Sequence, residues 1–94
     1  MSILVLKFGG TSVGSVDLIK SAAQIIKKEH DSGHDIAVVV SAMSGTTNKL
    51  IDNISLIKTQ DDAEYDAIVS SGEQVTAGLM ALALKELSIP ARSW

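Results

Sequence analysis

Two strand-length runs of apolar residues constrain this chain more than any other feature. The first run covers residues 3–6 and the second covers residues 36–40. A strand that is apolar on both faces is typical of the centre of a parallel sheet. Between the runs, apolar residues recur at helical spacing, at Leu18, Ile19, Ala22, Ile25 and Ile26. The order strand, loop, helix, strand predicts a parallel α/β unit with a right-handed crossover.

Polar and glycine residues mark the ends of the predicted helices. Ser15 is a suitable N-cap for the first helix, and Gly33 is suited to end it in the left-handed conformation. Thr46 or Thr47 is expected to cap the second helix. Asp61, followed three residues later by a glutamate, resembles a capping box for the next helix.

The second half of the chain is predicted to hold two further helices and the start of a strand. The pair Ser71-Gly72 is expected to interrupt the helix that begins after Asp61, so that Glu73 opens a new helix. Pro90 is expected to end that helix. Residues 91–94, which finish on Trp94, are expected to begin a third strand.

Composition excludes several classes of protein. The 94 residues are 46% hydrophobic and 20% charged, which is typical of a single globular domain rather than a disordered chain. The net charge of −3 gives no basic excess for nucleic acid or for an anionic membrane. The absence of cysteine excludes a disulfide scaffold and a thiolate nucleophile. No apolar run approaches the roughly 18 residues of a membrane span, and no export signal precedes the first strand, so the expected location is the cytoplasm.

The number of strands suggests that residues 1–94 are part of a larger domain. Two parallel strands and the start of a third do not make a covered sheet, because parallel sheets need helices on both faces and more strands. We therefore expect an incomplete portion of a larger α/β protein, with apolar surface that favours self-association.

The sequence Lys-Phe-Gly-Gly-Thr-Ser-Val-Gly, residues 7–14, follows the first strand and precedes the first helix. Open α/β sheets bind ligands at this position, and successive glycines let main-chain amides approach an anion. The spacing matches neither a Walker A loop nor a dinucleotide-binding fingerprint. Lys7 ends an otherwise apolar strand, where its charge needs water or an anion, so phosphate binding is favoured over a plain turn.

Two further motifs contain small polar residues. Residues 41–48, Ser-Ala-Met-Ser-Gly-Thr-Thr-Asn, follow the second strand, where hydroxyls and helix amides could hold an anion or simply close a loop. Glu73 lies in Ser-Gly-Glu-Gln, residues 71–74; it could pair with a cation on a ligand or act only as a first-turn acid. His30 and His34 do not have zincin spacing, and a solvated loop is the favoured interpretation.

These three motifs, in this order, closely resemble those of aspartate kinases, and the resemblance covers essentially the whole chain. It implies an amino-acid kinase fold, which is a three-layer α/β/α sandwich with a mainly parallel sheet. It also implies MgATP-dependent phosphorylation of the side-chain carboxylate of L-aspartate, the first step toward lysine, threonine and methionine. On the same resemblance residues 1–94 are the N-terminal portion of the kinase domain, without its nucleotide-binding half and its regulatory ACT domains.

The resemblance also assigns roles to individual residues. The residues expected to meet the ATP phosphates are Lys7, Phe8, Gly9, Gly10, Thr11 and Ser12, with Lys7 as the catalytic residue. Ser41, Thr47 and Glu73 are expected to hold aspartate, with Glu73 beside its α-ammonium group. Magnesium is expected to be bound by the phosphates and by residues largely outside this part of the chain. A homo-oligomer is expected, with L-aspartate and ATP as ligands.

Two alternatives remain open at this stage. One is a non-catalytic portion that only binds anions or self-associates. The other is a different amino-acid kinase that acts on an acidic group. Glu73 distinguishes an aspartate kinase from such an enzyme, because an N-acetylated or amine-free substrate has no cation to pair with the carboxylate of Glu73.

Overall fold

A computed structural model describes residues 2–94. The elements are β1 (Ile3–Phe8), α1 (Val16–Asp31), β2 (Asp35–Val40), α2 (Thr46–Ser55) and α3 (Asp62–Glu86). The predicted strand, loop, helix, strand unit is confirmed. Its two strands pair in parallel along their whole length, from Ile3 opposite Asp35 to Phe8 opposite Val40.

Both strands present one covered face and one open face. The inward side chains of the strands are half-buried and pack against a core formed mainly by α1 and α3: Leu6, Phe8, Ile36, Val38 and Val40. The opposite face carries Ile3, Val5, Lys7 and Val39, and Ile3 is 75% exposed. Within residues 2–94 no helix covers this second face. The sequence therefore predicted apolar strands correctly, but only one of the two helical layers lies in the part of the chain that the structure describes.

The core lies between the sheet, α1 and α3. Its buried apolar members are Val13, Ile19, Ala22, Ala23, Ile26, Met80, Leu84 and Ile89. Four of these lie on α1, and they include Ile19, Ala22 and Ile26 of the predicted stripe. The other two residues of that stripe, Leu18 and Ile25, are exposed, and Ala23 is buried instead. The helix begins as predicted, because the hydroxyl oxygen of Ser15 accepts a hydrogen bond from the amide of Leu18 at 3.2 Å. Gly33 follows the helix with a φ of +98°, as predicted for the residue that ends it.

The start of α2 differs from the prediction that Thr46 or Thr47 caps it. The N-cap is Gly45, which has a φ of +85° and supplies no side-chain hydrogen bond. The threonines fall inside the first turn because this left-handed residue reverses the chain one residue earlier. Among the helices of residues 2–94, α1 and α3 have side-chain caps and α2 has none.

α3 is a single helix of 25 residues, so the predicted break at Ser71-Gly72 is wrong. The hydroxyls of Ser70 and Ser71 donate to the carbonyls of Ala67 and Ile68, at 3.2 and 2.6 Å. The serines thus satisfy their polar groups inside the helix instead of competing with it. The helix does begin at the predicted cap, since Asp61 accepts from the amide of Glu64 at 3.2 Å.

The end of α3 also differs from the prediction that Pro90 ends it. The last helical residue is Glu86, and Ser88 adopts a left-handed conformation with a φ of +63°. The amide of Ile89 then donates to the carbonyl of Leu84 at 3.0 Å, which is a helix-ending bond that Pro90 has no part in. The predicted strand at residues 91–94 is not formed, because these residues make no ladder with β2 or with any other described residue.

By length and composition alone, α3 could cross a membrane. An 18-residue window within it has a mean hydropathy of 1.3, and 22% of that window is buried. The buried residues of α3 follow one another at intervals of four and face the rest of the molecule: Gly72, Thr76, Met80 and Leu84. This spacing is typical of a helix that packs on a sheet.

Candidate functional site

The loops that follow β1 and β2 meet at the carboxyl end of the sheet. The amide of Ser41 donates to the carbonyl of Phe8 at 3.2 Å, which continues the strand pairing by one residue. The amide of Ser44 then donates to the carbonyl of Gly10 at 3.1 Å. The first and second motifs therefore form one hydrogen-bonded rim, at the edge where parallel sheets bind ligands.

The two glycines of the first loop have different surroundings. A Cβ on Gly10 would lie 2.9 Å from the carbonyl oxygen of Ala42, whereas a Cβ on Gly9 would have no atom within 4 Å. The fold therefore requires glycine at position 10 but not at position 9. The amides of Gly10 and Thr11 form no hydrogen bond within residues 2–94. Open space at Gly9 beside these amides is what close approach of an anion requires.

The side chains of the first motif lie on different sides of the sheet. Lys7 is exposed on the uncovered face, and no ion pair joins it to an acidic group within residues 2–94. The ring of Phe8 packs against the core, so only its main chain faces the rim. Thr11 and Ser12 are exposed, and the amide of Ser12 closes a turn onto the carbonyl of Gly9 at 3.0 Å.

The second loop leads into the uncapped helix α2. Ser41 and Thr47 are both half-buried, the first at the end of β2 and the second in the first turn of α2. Because Gly45 supplies no side-chain acceptor, the first amides of α2 are not capped by a side chain. A helix N-terminus carries a partial positive charge that favours an anion. The loop thus places two hydroxyls beside amides that suit a carboxylate or phosphate.

The third motif reaches this rim through Gly72. Gly72 is buried, and a Cβ there would lie 3.1 Å from both Ala42 Cβ and Thr46 Cγ2. Glu73, the next residue, is exposed and forms no ion pair within residues 2–94. It lies in the middle of α3, so the predicted alternative of a helix-start acid is wrong. The structure therefore leaves its charge without a structural role in the described part of the chain.

The structure brings the three motifs together but does not place all their charges in one pocket. A groove of about 740 Å³ runs between β2, α3 and residues 90–94, and Glu73 lines it while Lys7 does not. Lys7 approaches the carboxyl end from the open face of the sheet, and α3 carries Glu73 on the covered side.

The histidines lie at the other end of the sheet. Nδ1 of His34 is 2.5 Å from the hydroxyl of Ser2, and Nδ1 of His30 is 3.8 Å from a carboxylate oxygen of Asp31. No group of three metal-ligating side chains occurs among the residues that the structure describes. A hydrogen bond from Lys27 at 2.6 Å, with a smaller contribution from His30, lowers the pKa of Asp31 below its usual value of 3.8.

Sequence reasoning missed the role of Ala42, which contacts both the first and the third motif. In the sequence Ala42 is one small residue among several in the second loop, and no pattern distinguishes it. The available signal was the occurrence of glycine in all three motifs, which indicates close backbone contacts but does not say which residue fills the space.

Comparison with known proteins identifies the family. The chain belongs to the amino acid kinase family, whose model matches residues 2–93. It is 53% identical over 95 residues to "Aspartate kinase Ask_LysC" of Stutzerimonas stutzeri, covering all of this chain and 23% of that protein. It is 50% identical over 97 residues to the aspartate kinase of Pseudomonas fluorescens, again covering all of this chain and 24% of that protein. The chain thus spans about a quarter of the length of these curated relatives.

Solved structures confirm the fold. The aspartate kinase from Synechocystis superposes with a TM-score of 0.93 at 43% identity, over 97% of this chain and 16% of that chain. Aspartokinase III of E. coli, solved in complex with aspartate and ADP, superposes with a TM-score of 0.78 at 23% identity, over 97% of this chain and 30% of that chain. The α/β amino-acid kinase fold that the motifs implied is therefore confirmed.

Proposed function

We propose that residues 1–94 are the N-terminal portion of the kinase domain of an aspartate kinase, which transfers the γ-phosphoryl group of ATP to the side-chain carboxylate of L-aspartate. The observation that carries this proposal is the identity of about 50% to curated aspartate kinases over the whole chain. The meeting of the three motifs at one rim supports it, because phosphoryl transfer needs both substrates held at one place.

The first loop is the proposed phosphate site. Lys7 supplies a compact positive charge, and the amides of Gly10 and Thr11 supply donors that no other described residue uses. Open space at Gly9 allows a phosphate to approach the main chain. Phe8 contributes through its main chain, and the exposed hydroxyls of Thr11 and Ser12 lie at the outer side of the loop.

The second loop and α3 are the proposed aspartate site. Ser41 and Thr47 offer hydroxyls beside the uncapped start of α2, which suits a substrate carboxylate. Glu73 offers a carboxylate for the α-ammonium group. Its exposure and the absence of an ion pair within residues 2–94 support a ligand role.

The proposed reaction requires positioning and charge neutralisation more than proton transfer. A carboxylate with a pKa of about 3.9 is already ionised at neutral pH, so the nucleophile needs no general base. One aspartate oxygen forms a bond to the γ-phosphorus while the bond from that phosphorus to the bridging oxygen breaks, and ADP leaves. Lys7 and the loop amides reduce the repulsion between the two anions.

The proposal extends to the other expected ligands. One observation that supports ATP as the phosphoryl donor is that an E. coli protein of the same fold was solved with aspartate and ADP. Magnesium would be held by the phosphates and by residues largely outside this part of the chain, and it would neutralise phosphate charge. A cytoplasmic location and a homo-oligomer stay part of the proposal.

The experiment is a kinase assay on a protein that contains the whole kinase domain around these residues. Purified protein is incubated with MgATP and L-aspartate, and the acyl phosphate is trapped with hydroxylamine as the hydroxamate. We expect L-aspartate to give product and N-acetyl-L-aspartate to give none, because the second has no ammonium group for Glu73. Equal turnover of both substrates would contradict the proposal and favour another amino-acid kinase.

The same assay tests residues 1–94 alone. We expect no turnover above a Lys7→Met control, because one side of a cleft cannot hold both substrates. Turnover by these residues alone that disappears with Lys7→Met would contradict their assignment as one portion of a domain.

A further inference from the structure

We propose that Ala42 is a positioning residue that sets the separation between the phosphate loop and the helix that carries Glu73. It is buried between Gly10 on one side and Gly72 on the other. The proposal rests on the proposed function, since it concerns the same two substrate sites. It adds that a size match between Ala42 and Gly72, neither of which is a proposed ligand of a substrate, determines the affinity for aspartate.

The contact of Ala42 with the phosphate loop is made by its main chain. A Cβ on Gly10 would lie 2.9 Å from the carbonyl oxygen of Ala42, closer than side chains approach in proteins. The hydrogen bond from Ser44 to the carbonyl of Gly10 holds the two loops in this register. This side of the contact is backbone against backbone, so it has little freedom to adjust.

The contact of Ala42 with α3 is made by its methyl group. A Cβ on Gly72 would lie 3.1 Å from that methyl and 3.1 Å from Cγ2 of Thr46, with Cδ1 of Leu50 at 3.6 Å. The first two distances are tight contacts, so an alanine at position 72 would push α3 away from the second loop by a few tenths of an ångström. Protein interiors are packed too densely to absorb such a change without movement.

A second glycine in the same helix shows that helix formation does not explain Gly72. Gly78 also lies inside α3, but a Cβ there would meet no atom within 4 Å. Glycine inside a helix is destabilising relative to alanine, so it needs a packing reason to be useful there. Gly72 has that reason and Gly78 does not, which makes Gly78 a matched control.

The consequence for function follows from the neighbours of the contact. Thr47 comes directly after Thr46, and Glu73 comes directly after Gly72. A small displacement of α3 from the second loop changes the separation of Thr47 and Glu73, the proposed aspartate ligands. On the phosphate side the contact of Ala42 is with the backbone of Gly10, which the substitution at position 72 does not touch. The expected signature is therefore a change in the aspartate KM without a matching change in the ATP KM.

The experiment compares Gly72→Ala, Gly78→Ala and the double variant Gly72→Ala with Ala42→Gly, in a protein that contains the whole kinase domain. We expect Gly72→Ala to raise the aspartate KM about tenfold, with the ATP KM changed by less than about twofold. Gly78→Ala should leave both KM values unchanged. The double variant should recover part of the aspartate affinity, because removing the Ala42 methyl opens one of the two tight contacts and leaves the one with Thr46.

A merely structural role predicts a different result. Gly72→Ala would then lower stability or the amount of folded enzyme, leave the aspartate KM of the folded fraction unchanged and show no recovery with Ala42→Gly. That result overturns the inference. If Gly72→Ala folds poorly, Ala42→Gly alone tests the same contact by loosening it, and an unchanged aspartate KM in that variant also overturns the inference.

Failure of the proposed function is distinguishable from failure of this inference. A wild-type protein that phosphorylates aspartate, with Gly72→Ala keeping the wild-type aspartate KM, overturns the positioning role alone. A wild-type protein that does not phosphorylate aspartate overturns the proposed function and this inference with it.

Discussion

The polar groups at the two ends of the sheet differ in whether they have a partner within the described residues. At the amino end the groups contact one another: the hydroxyl of Ser2 contacts His34, and Lys27 and His30 contact Asp31. At the carboxyl end the main chains of the loops are tightly joined, but Lys7 and Glu73 form no ion pair within residues 2–94. Both ends carry charge, but an ion pair between side chains, Lys27 with Asp31, occurs at the amino end and not at Lys7 or Glu73.

This difference separates residues that serve the fold from residues available for a ligand. A charge with a partner in the same chain has a structural explanation. A charge that lies beside a close-packed backbone and has no such partner lacks a structural explanation within the described residues. A bound substrate can supply the missing partner. The contrast predicts that substitution of an unpaired charge at the carboxyl end changes activity, whereas substitution of a paired group at either end changes stability slightly.

Lys7→Met should have the largest effect. We expect turnover to fall by orders of magnitude with little change in folding, because the exposed Lys7 contributes no ion pair within residues 2–94 but is proposed to neutralise the transferred phosphate. Steady-state kinetics with MgATP and aspartate measure this effect. The matched control is Lys27→Met at the amino end, which should keep normal turnover. Near-normal turnover of folded Lys7→Met would remove Lys7 from the chemistry.

Glu73→Gln should have the next largest effect, and it should appear in substrate affinity. Loss of a charge-assisted contact costs about 1.5–3 kcal/mol, so the aspartate KM should rise roughly ten- to a hundredfold while the ATP KM changes little. Glu86→Gln is a control in the same helix, because Glu86 forms a salt bridge with Lys20 at 3.6 Å between exposed side chains. If both variants behave alike, the carboxylate of Glu73 has no specific role.

Sequence patterns predicted β1, β2, the caps of α1 and α3 and the end of α1, because each depends on neighbouring residues. They failed at the middle of α3 and at the start of α2. Ser71-Gly72 is typical of a helix break, yet α3 continues because the serine hydroxyls bond within the helix and Gly72 packs on α2. The start of α2 was predicted one or two residues late, because Gly45 reverses the chain.

The candidate site shows the same division. The residue type favoured anion binding at Lys7, whereas at Glu73 it left open both a cation partner and a helix-start acid. Their approach from opposite sides of the sheet could not be predicted, because it depends on strand alternation together with the path of α3. The contact of Ala42 with Gly72 joins residues 30 positions apart, and no local pattern in the sequence specifies it.

Ser15→Ala tests the N-cap of α1, which lies at the carboxyl end of the sheet. The hydroxyl of Ser15 accepts from the amide of Leu18, and loss of such a cap costs about 1 kcal/mol of stability. We expect a lower midpoint of chemical unfolding with unchanged KM values, since α1 is not part of the proposed substrate sites. Ser15→Asp, which retains an acceptor, should keep most of the stability. A change in KM for either substrate would extend the site to the start of α1.

Lys27→Met tests the ion pair between Lys27 and Asp31 at the amino end of the sheet, and its effect on stability should be the smallest of these. The hydrogen bond from Lys27 lowers the pKa of Asp31, so the ion pair adds stability above pH 3.8 that is lost as the pH falls through the lowered pKa. The variant should therefore be slightly less stable than wild type at pH 7, and this difference should shrink below pH 4.

Carboxyl NMR titration should show a higher pKa for Asp31 in Lys27→Met than in wild type. Lys28→Met, a neighbouring lysine that forms no ion pair within residues 2–94, should leave that pKa closer to the wild-type value. An Asp31 pKa that is the same in wild type and Lys27→Met would show that the amino end is not neutralised by this pair.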